Sequence, residues 1–148
     1  MAVVDFIVRR PDGEVVLLAE AKNKRRTTPA WASQVRRNLM SHLSLRAPYF
    51  LLATPDRLYF WFDGGTSEEA PPSAEMDARE VLLPYIRTAG IRDEHFSGPT
   101  FELIVSTWLR ELVGKRPTGA AARYPAPLYA SGFFDALSGS SMTYQPNL

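Results

Sequence analysis

The sequence predicts a mixed α/β domain in which a sheet of at least four short strands is flanked by helices. Three observations carry the prediction. Two β-rich runs, VVDFIVRR and VVLLAEA, flank Pro11-Asp12-Gly13-Glu14, and Asp-Gly between such runs is a strong hairpin signal. An amphipathic helical pattern follows. A second pair of apolar runs then brackets Pro55-Asp56-Arg57, a tight turn, and supplies two more strands.

With Asp12 and Gly13 as the two loop residues, cross-strand partners in the hairpin pair so that Asp5 lies opposite Glu20. The period of two places Val3, Asp5, Ile7 and Arg9 on one face with Val16, Leu18, Glu20 and Lys22. Val4, Phe6, Val8, Val15, Leu17, Ala19 and Ala21 take the other face and are expected to pack on a core, while the first set ends in a charged cluster. After the basic connector Asn23-Lys24-Arg25-Arg26, Thr27 or Thr28 is suited to cap a helix with Pro29 in its first turn, ending near Leu43 to Leu45. Trp31, Val35, Leu39 and His42 share helical spacing, Gln34 lies beside them, and Arg36 and Arg37 point elsewhere.

The second strand pair is expected over Tyr49 to Thr54 and Leu58 to Phe62. Gly64 to Pro72 reads as an exposed acidic loop, and helices are expected over Asp77 to Ala89 and Thr100 to Val113. From Lys115 onward Gly, Pro, Ser and Ala dominate. Residues 1–114 are therefore expected to form the domain and 115–148 an irregular tail, in which Tyr129, Phe133, Phe134 and Leu137 are spaced to form a short docking helix.

A chain of 148 residues with 45% apolar content suits one domain with a real core. It contains no cysteine, which excludes disulfides, zinc-thiolate sites and cysteine nucleophiles. Only His42 and His95 offer imidazole, so any metal is expected to be held by oxygen. No long apolar run and no secretory leader pattern occur, so a cytoplasmic protein is expected. The net charge of +1 is uninformative, but residues 9–46 hold nine Lys or Arg against three acids, and residues 63–102 hold nine acids against three Arg. A basic first third is the footprint of a phosphate-backbone binder.

Two carboxylates facing each other across a hairpin repel, and a divalent cation is the common reason a fold tolerates them. Lys22 projects from the same face and is placed to orient or deprotonate water or to neutralise charge at a scissile phosphate. The Ala21 carbonyl lies between them. This pattern, Val-Val-Asp5 opening one strand and Glu20-Ala21-Lys22 closing the next, resembles the restriction-endonuclease-like, or PD-(D/E)xK, nuclease superfamily. The residue before Asp5 is Val4 rather than the motif's Pro. The strand pair Tyr49-Phe-Leu-Leu-Ala-Thr54 and Arg57-Leu-Tyr-Phe-Trp61 is similar to the later core strands of the type I restriction-subunit-like branch. The likeness covers residues 2–62.

The resemblance implies a restriction-endonuclease-like fold and a Mg²⁺- or Mn²⁺-dependent hydrolase acting on DNA in restriction, defence or repair. Asp5, Glu20 and the Ala21 carbonyl would hold the metal, and Lys22 and Gln34 would complete the catalytic set. Lys24, Arg25, Arg26, Arg36 and Arg37 would meet the nucleic-acid backbone, and a homodimer or a larger protein partner is the implied assembly. The rival readings are a nucleic-acid-binding or assembly module that keeps the fold and cleaves nothing, and an ordinary α/β domain with no site.

Overall fold

The computed structural model describes residues 4–62, 69–91, 95–115 and 124–145. Six strands form one mixed sheet: β1 (Phe6–Arg9), β2 (Val15–Ala21), β3 (Tyr49–Ala53), β4 (Arg57–Trp61), β5 (Ala74–Asp77) and β6 (Ser141–Tyr144). Their order across the sheet is β5-β4-β3-β2-β1-β6. Only β2 and β3 run parallel, and the required crossover between them contains helix α1 (Pro29–Met40). The mixed α/β class and the expected four-strand minimum are both met.

The hairpin reaches its register by a route the sequence conceals. Its loop has three residues, Pro11, Asp12 and Gly13, with Gly13 N–H on Arg10 O at 2.8 Å and Arg10 N–H on Glu14 O at 2.9 Å. Gly13 takes φ 91°, a left-handed conformation that glycine adopts without a Cβ clash. Arg9 therefore faces Val15, one position off the two-residue-loop register. A bulge at Val16 then restores it, so that Val8 pairs with Leu17 and Phe6 with Ala19. The bulge exchanges two side chains between faces: Val15 packs with Leu18, and Val16 with Leu17. Val4 also departs from the expected alternation and joins Ile7 and Leu18, because Asp5 occupies a bend ahead of β1.

Both faces of the sheet are buried, which corrects the one-sided hairpin expected from alternation. Ile7, Leu18, Phe50, Leu52, Tyr59 and Trp61 lie under α1. The opposite face, with Phe6, Val8, Leu17, Leu51 and Phe60, packs on α2 (Arg79–Thr88), α3 (Gly98–Gly114), α4 (Ala126–Ala130) and α5 (Phe133–Leu137). Thr28 caps α1, its hydroxyl accepting from Trp31 N–H at 3.1 Å, with Pro29 following. The helix ends at Met40, short of the expected Leu43 to Leu45. Ala32, Arg36 and Met40 are fully buried; the expected Trp31, Val35 and Leu39 flank them, partly buried and packed on the same core, whereas His42 is exposed. Ser97 caps α3 in the same way as Thr28 caps α1, and Pro99 lies in its first turn.

Two further differences concern strands. Residues 74–77, partly assigned to a helix from sequence, form β5 on the sheet edge beside β4. The expected irregular tail is also structured over residues 124–145: Phe133, Phe134 and Leu137 are buried in the main core, and β6 adds to β1. Residues 64–68 of the expected acidic loop lie outside the described residues, as do 116–123 and 146–148 of the tail. No helix of the described residues is long and apolar enough to cross a membrane.

Candidate metal and phosphodiester site

The Asp5 bend and the last residues of β2 meet at the open end of the hairpin. Asp5 and Glu20 are buried there, 0% and 2% exposed. Glu20 Oε1 accepts from Asp5 N–H at 2.9 Å, and Asp5 Oδ2 accepts from Ala21 N–H at 2.9 Å. Each carboxylate thus holds the other residue's strand, where ladder bonds between the two strands would otherwise be. Lys22 Nζ stands 3.4 Å from Glu20 Oε2, on a side chain 42% exposed. Lys22 is aimed by its backbone, whose N–H donates to Ala53 O on β3 at 2.9 Å. Asp5, Glu20, Ala21 and Lys22, expected together from sequence, are together; the Ala21 contact with Asp5 is made through its N–H.

Burial pushes the Asp5 carboxyl up to about 8, and the adjoining Glu20 charge pushes the same way, against the lowering effect of the Ala21 N–H. Glu102, on α3, adds a smaller push. Sequence reasoning missed Glu102 and Tyr144. The Tyr144 hydroxyl donates to Glu102 Oε2 at 2.6 Å, and that bond, with burial, raises the phenol to about 12. No local pattern marks either residue, since only the β1–β6 pairing and the packing of α3 bring them to Asp5.

The basic connector is folded down rather than loosely solvated. Asn23 Nδ2 donates to Phe96 O at 2.8 Å. Arg25 lies over the Phe96 ring at 5.6 Å and pairs with Asp56 at 3.4 Å, while Arg26 N–H bonds the same carboxylate at 2.8 Å. Lys24 Nζ sits 5.3 Å from the Trp31 ring centre. Lys22, Lys24, Arg25 and Arg26 thereby form a basic rim directly after Glu20.

The remaining expected residues are on α1. Gln34 is exposed on α1, and its Oε1 accepts from Arg37 Nη2 at 2.7 Å. Arg37 also pairs with Glu69 at 3.3 Å. Arg36 is only 1% exposed and lies against the Phe50 and Trp61 rings, at 5.8 and 5.4 Å. This corrects its assignment to the nucleic-acid surface: the i, i+4 stripe from Ala32 carries it under the helix, where a phosphate cannot reach it. Among the described residues no group of three or more His, Cys, Asp or Glu side chains is arranged to hold a metal ion. No protein-family model matches the sequence, and no curated protein or solved structure is a significant match to it.

Proposed function

We propose that this chain is a divalent-metal-dependent phosphodiesterase acting on DNA, built on a restriction-endonuclease-like fold. The observation that carries the reading is the buried, mutually braced Asp5–Glu20 pair with the Lys22 ammonium beside it. Two adjoining carboxylates out of water are costly without a proton or a cation between them. Hard oxygen donors in this number suit Mg²⁺ or Mn²⁺, which commonly take one or two carboxylates and fill the remaining positions with water and substrate phosphate.

Asp5 and Glu20 would hold the ion, with the Ala21 carbonyl as a third donor; when bound, the metal supplies Lewis-acid charge neutralisation and a lowered water pKa. Lys22, half-exposed at the edge of the pair, offers a mobile cation to the developing phosphorane charge and a proton donor or acceptor to water. Lys24, Arg25 and Arg26 hold the nucleic-acid backbone against this edge, while Asp56 and Phe96 fix where the rim stands.

Incubation with plasmid, linear and single-stranded DNA in Mg²⁺, Mn²⁺ or EDTA tests the reading. Metal-dependent cleavage, lost in Asp5→Ala and in Lys22→Ala, is expected; cleavage that survives either substitution sinks the assignment. The near-complete burial of both carboxylates favours a second reading, a nucleic-acid-binding module that does not cleave. DNA binding with no cleavage in any metal selects it.

A further inference from the structure

Asp5 lies outside the ladder that holds its neighbours, in a bend ahead of Phe6, the first paired residue of β1. The last strand fixes its main chain: Asp5 O accepts from Gln145 N–H at 2.7 Å. Tyr144, just before Gln145, pairs with Phe6 and stacks on its ring, with centroids 5.1 Å apart and planes 20° from parallel. β6 is a four-residue edge strand with alternate side chains exposed, the kind of element that frays when held by its ladder alone. The bond from the Tyr144 hydroxyl to Glu102 Oε2 at 2.6 Å ties the end of that strand to α3. A hydrogen bond to a carboxylate is of the stronger kind.

Resting on the nuclease reading above, we propose that Tyr144 is a positioning residue: its bond to Glu102 locks the end of β6, and through Gln145 N–H this sets the Asp5 carboxylate against Ala21 N–H and Glu20. Tyr144 and Glu102 touch neither substrate nor metal in this account. They act by holding a segment that has no ladder of its own. The molecule supplies its own control, because Tyr85 on α2 donates to Glu111 Oε2 on α3 at 2.5 Å. That is the same chemistry, nine residues and roughly 13 Å further along the helix.

The experiment compares amide hydrogen exchange and metal-dependent DNA cleavage in the full chain and its Tyr144→Phe, Glu102→Gln and Tyr85→Phe variants. Ala21 N–H, bonded to Asp5 Oδ2, reports the carboxylate's position, and Gln145 N–H reports the strand end. Tyr144→Phe is expected to speed exchange at both amides on the order of tenfold, the equivalent of one net hydrogen bond, and to lower kcat comparably with KM little changed. Glu102→Gln keeps an acceptor for the phenol and is expected to retain most of the protection, while Tyr85→Phe leaves both amides and kcat near the parent values. Should Tyr144→Phe fail to fold, Glu102→Ala removes the acceptor while leaving the ring stack, with the same expectations. Unchanged exchange at Ala21 in the variant lacking the bond overturns the proposal, and so does equal acceleration in Tyr85→Phe. If the parent cleaves no DNA the nuclease reading falls, and Ala21 exchange still decides whether Tyr144 sets Asp5.

Discussion

Replacing Asp5 by Asn separates what the buried pair costs from what it is for. In the unfolded chain the Asp5 carboxyl titrates at its ordinary 3.8; in the fold, burial first and Glu20 second push it up to about 8. The folded protein therefore binds that proton more tightly than the unfolded chain. Its stabilising effect is complete below the unfolded value and is lost as pH rises through the folded one. Each pH unit inside the window is about 1.4 kcal/mol, so ionising conditions remove about 4 kcal/mol from the metal-free protein between about pH 4 and pH 7. An amide in the same place cannot ionise, still accepts from Ala21 N–H, and can donate to Glu20. Urea unfolding in EDTA at several pH values between about 5 and 8 should show the parent weakening as pH rises, the Asp5→Asn variant nearly flat, and the variant the more stable of the two at the upper end. With Mn²⁺ at about a hundred times its Kd, the parent should recover about 2.7 kcal/mol and the variant should not. A parent whose stability is flat across that range, or a variant with the parent's slope, refutes the account of an expensive pair awaiting a cation.

Lys22→Met keeps the aliphatic stem and removes the charge; cleavage should fall on the order of a hundredfold, as for loss of a transition-state donor. Its stability should fall as well, by about 1–3 kcal/mol in urea, because only the Lys22 end is half-exposed and the buried Glu20 carboxylate loses its neighbouring cation. Arg36→Ala empties a wholly buried position against Phe50 and Trp61 and should cost about 3 kcal/mol or more in urea. Gly132→Ala forces an L side chain into φ 84° with its Cβ 3.3 Å from the Tyr49 hydroxyl, and calorimetry should register a loss of about 1–2 kcal/mol.

The facing of Asp5 and Glu20 was legible from hairpin arithmetic, but the arithmetic reached it through two offsetting departures. A loop one residue longer than expected moves the register one way, and the Val16 bulge moves it back. Turn type and bulge are set by Gly13 and by packing on both faces, and alternation in a strand buried on both faces carries little information about which side is which. Arg36 was misplaced for a related reason: a long cation reads as surface, yet two aromatic rings can take its guanidinium beneath a helix. β5 and β6 were invisible because four-residue edge strands have too short a pattern to register, and AEMD and SMTY gain their extended form from β4 and β1. Glu102 and Tyr144 became part of the site only through pairings that no local spacing encodes.

The position of β1 bears on how this molecule is made. It lies between β2, its nearest neighbour in sequence, and β6, whose Tyr144 is 138 residues beyond its partner Phe6. Pairings over such a span close slowly and late, since the loop entropy is lost before the contact is gained. During synthesis the hairpin, α1 and the β3–β4 pair have all left the ribosome while the outer edge of β1 is still open, a bare strand edge able to pair with another chain. Ser141 to Tyr144 is what closes that edge, so shortening the chain there should increase aggregation of the nascent product before it affects any chemistry.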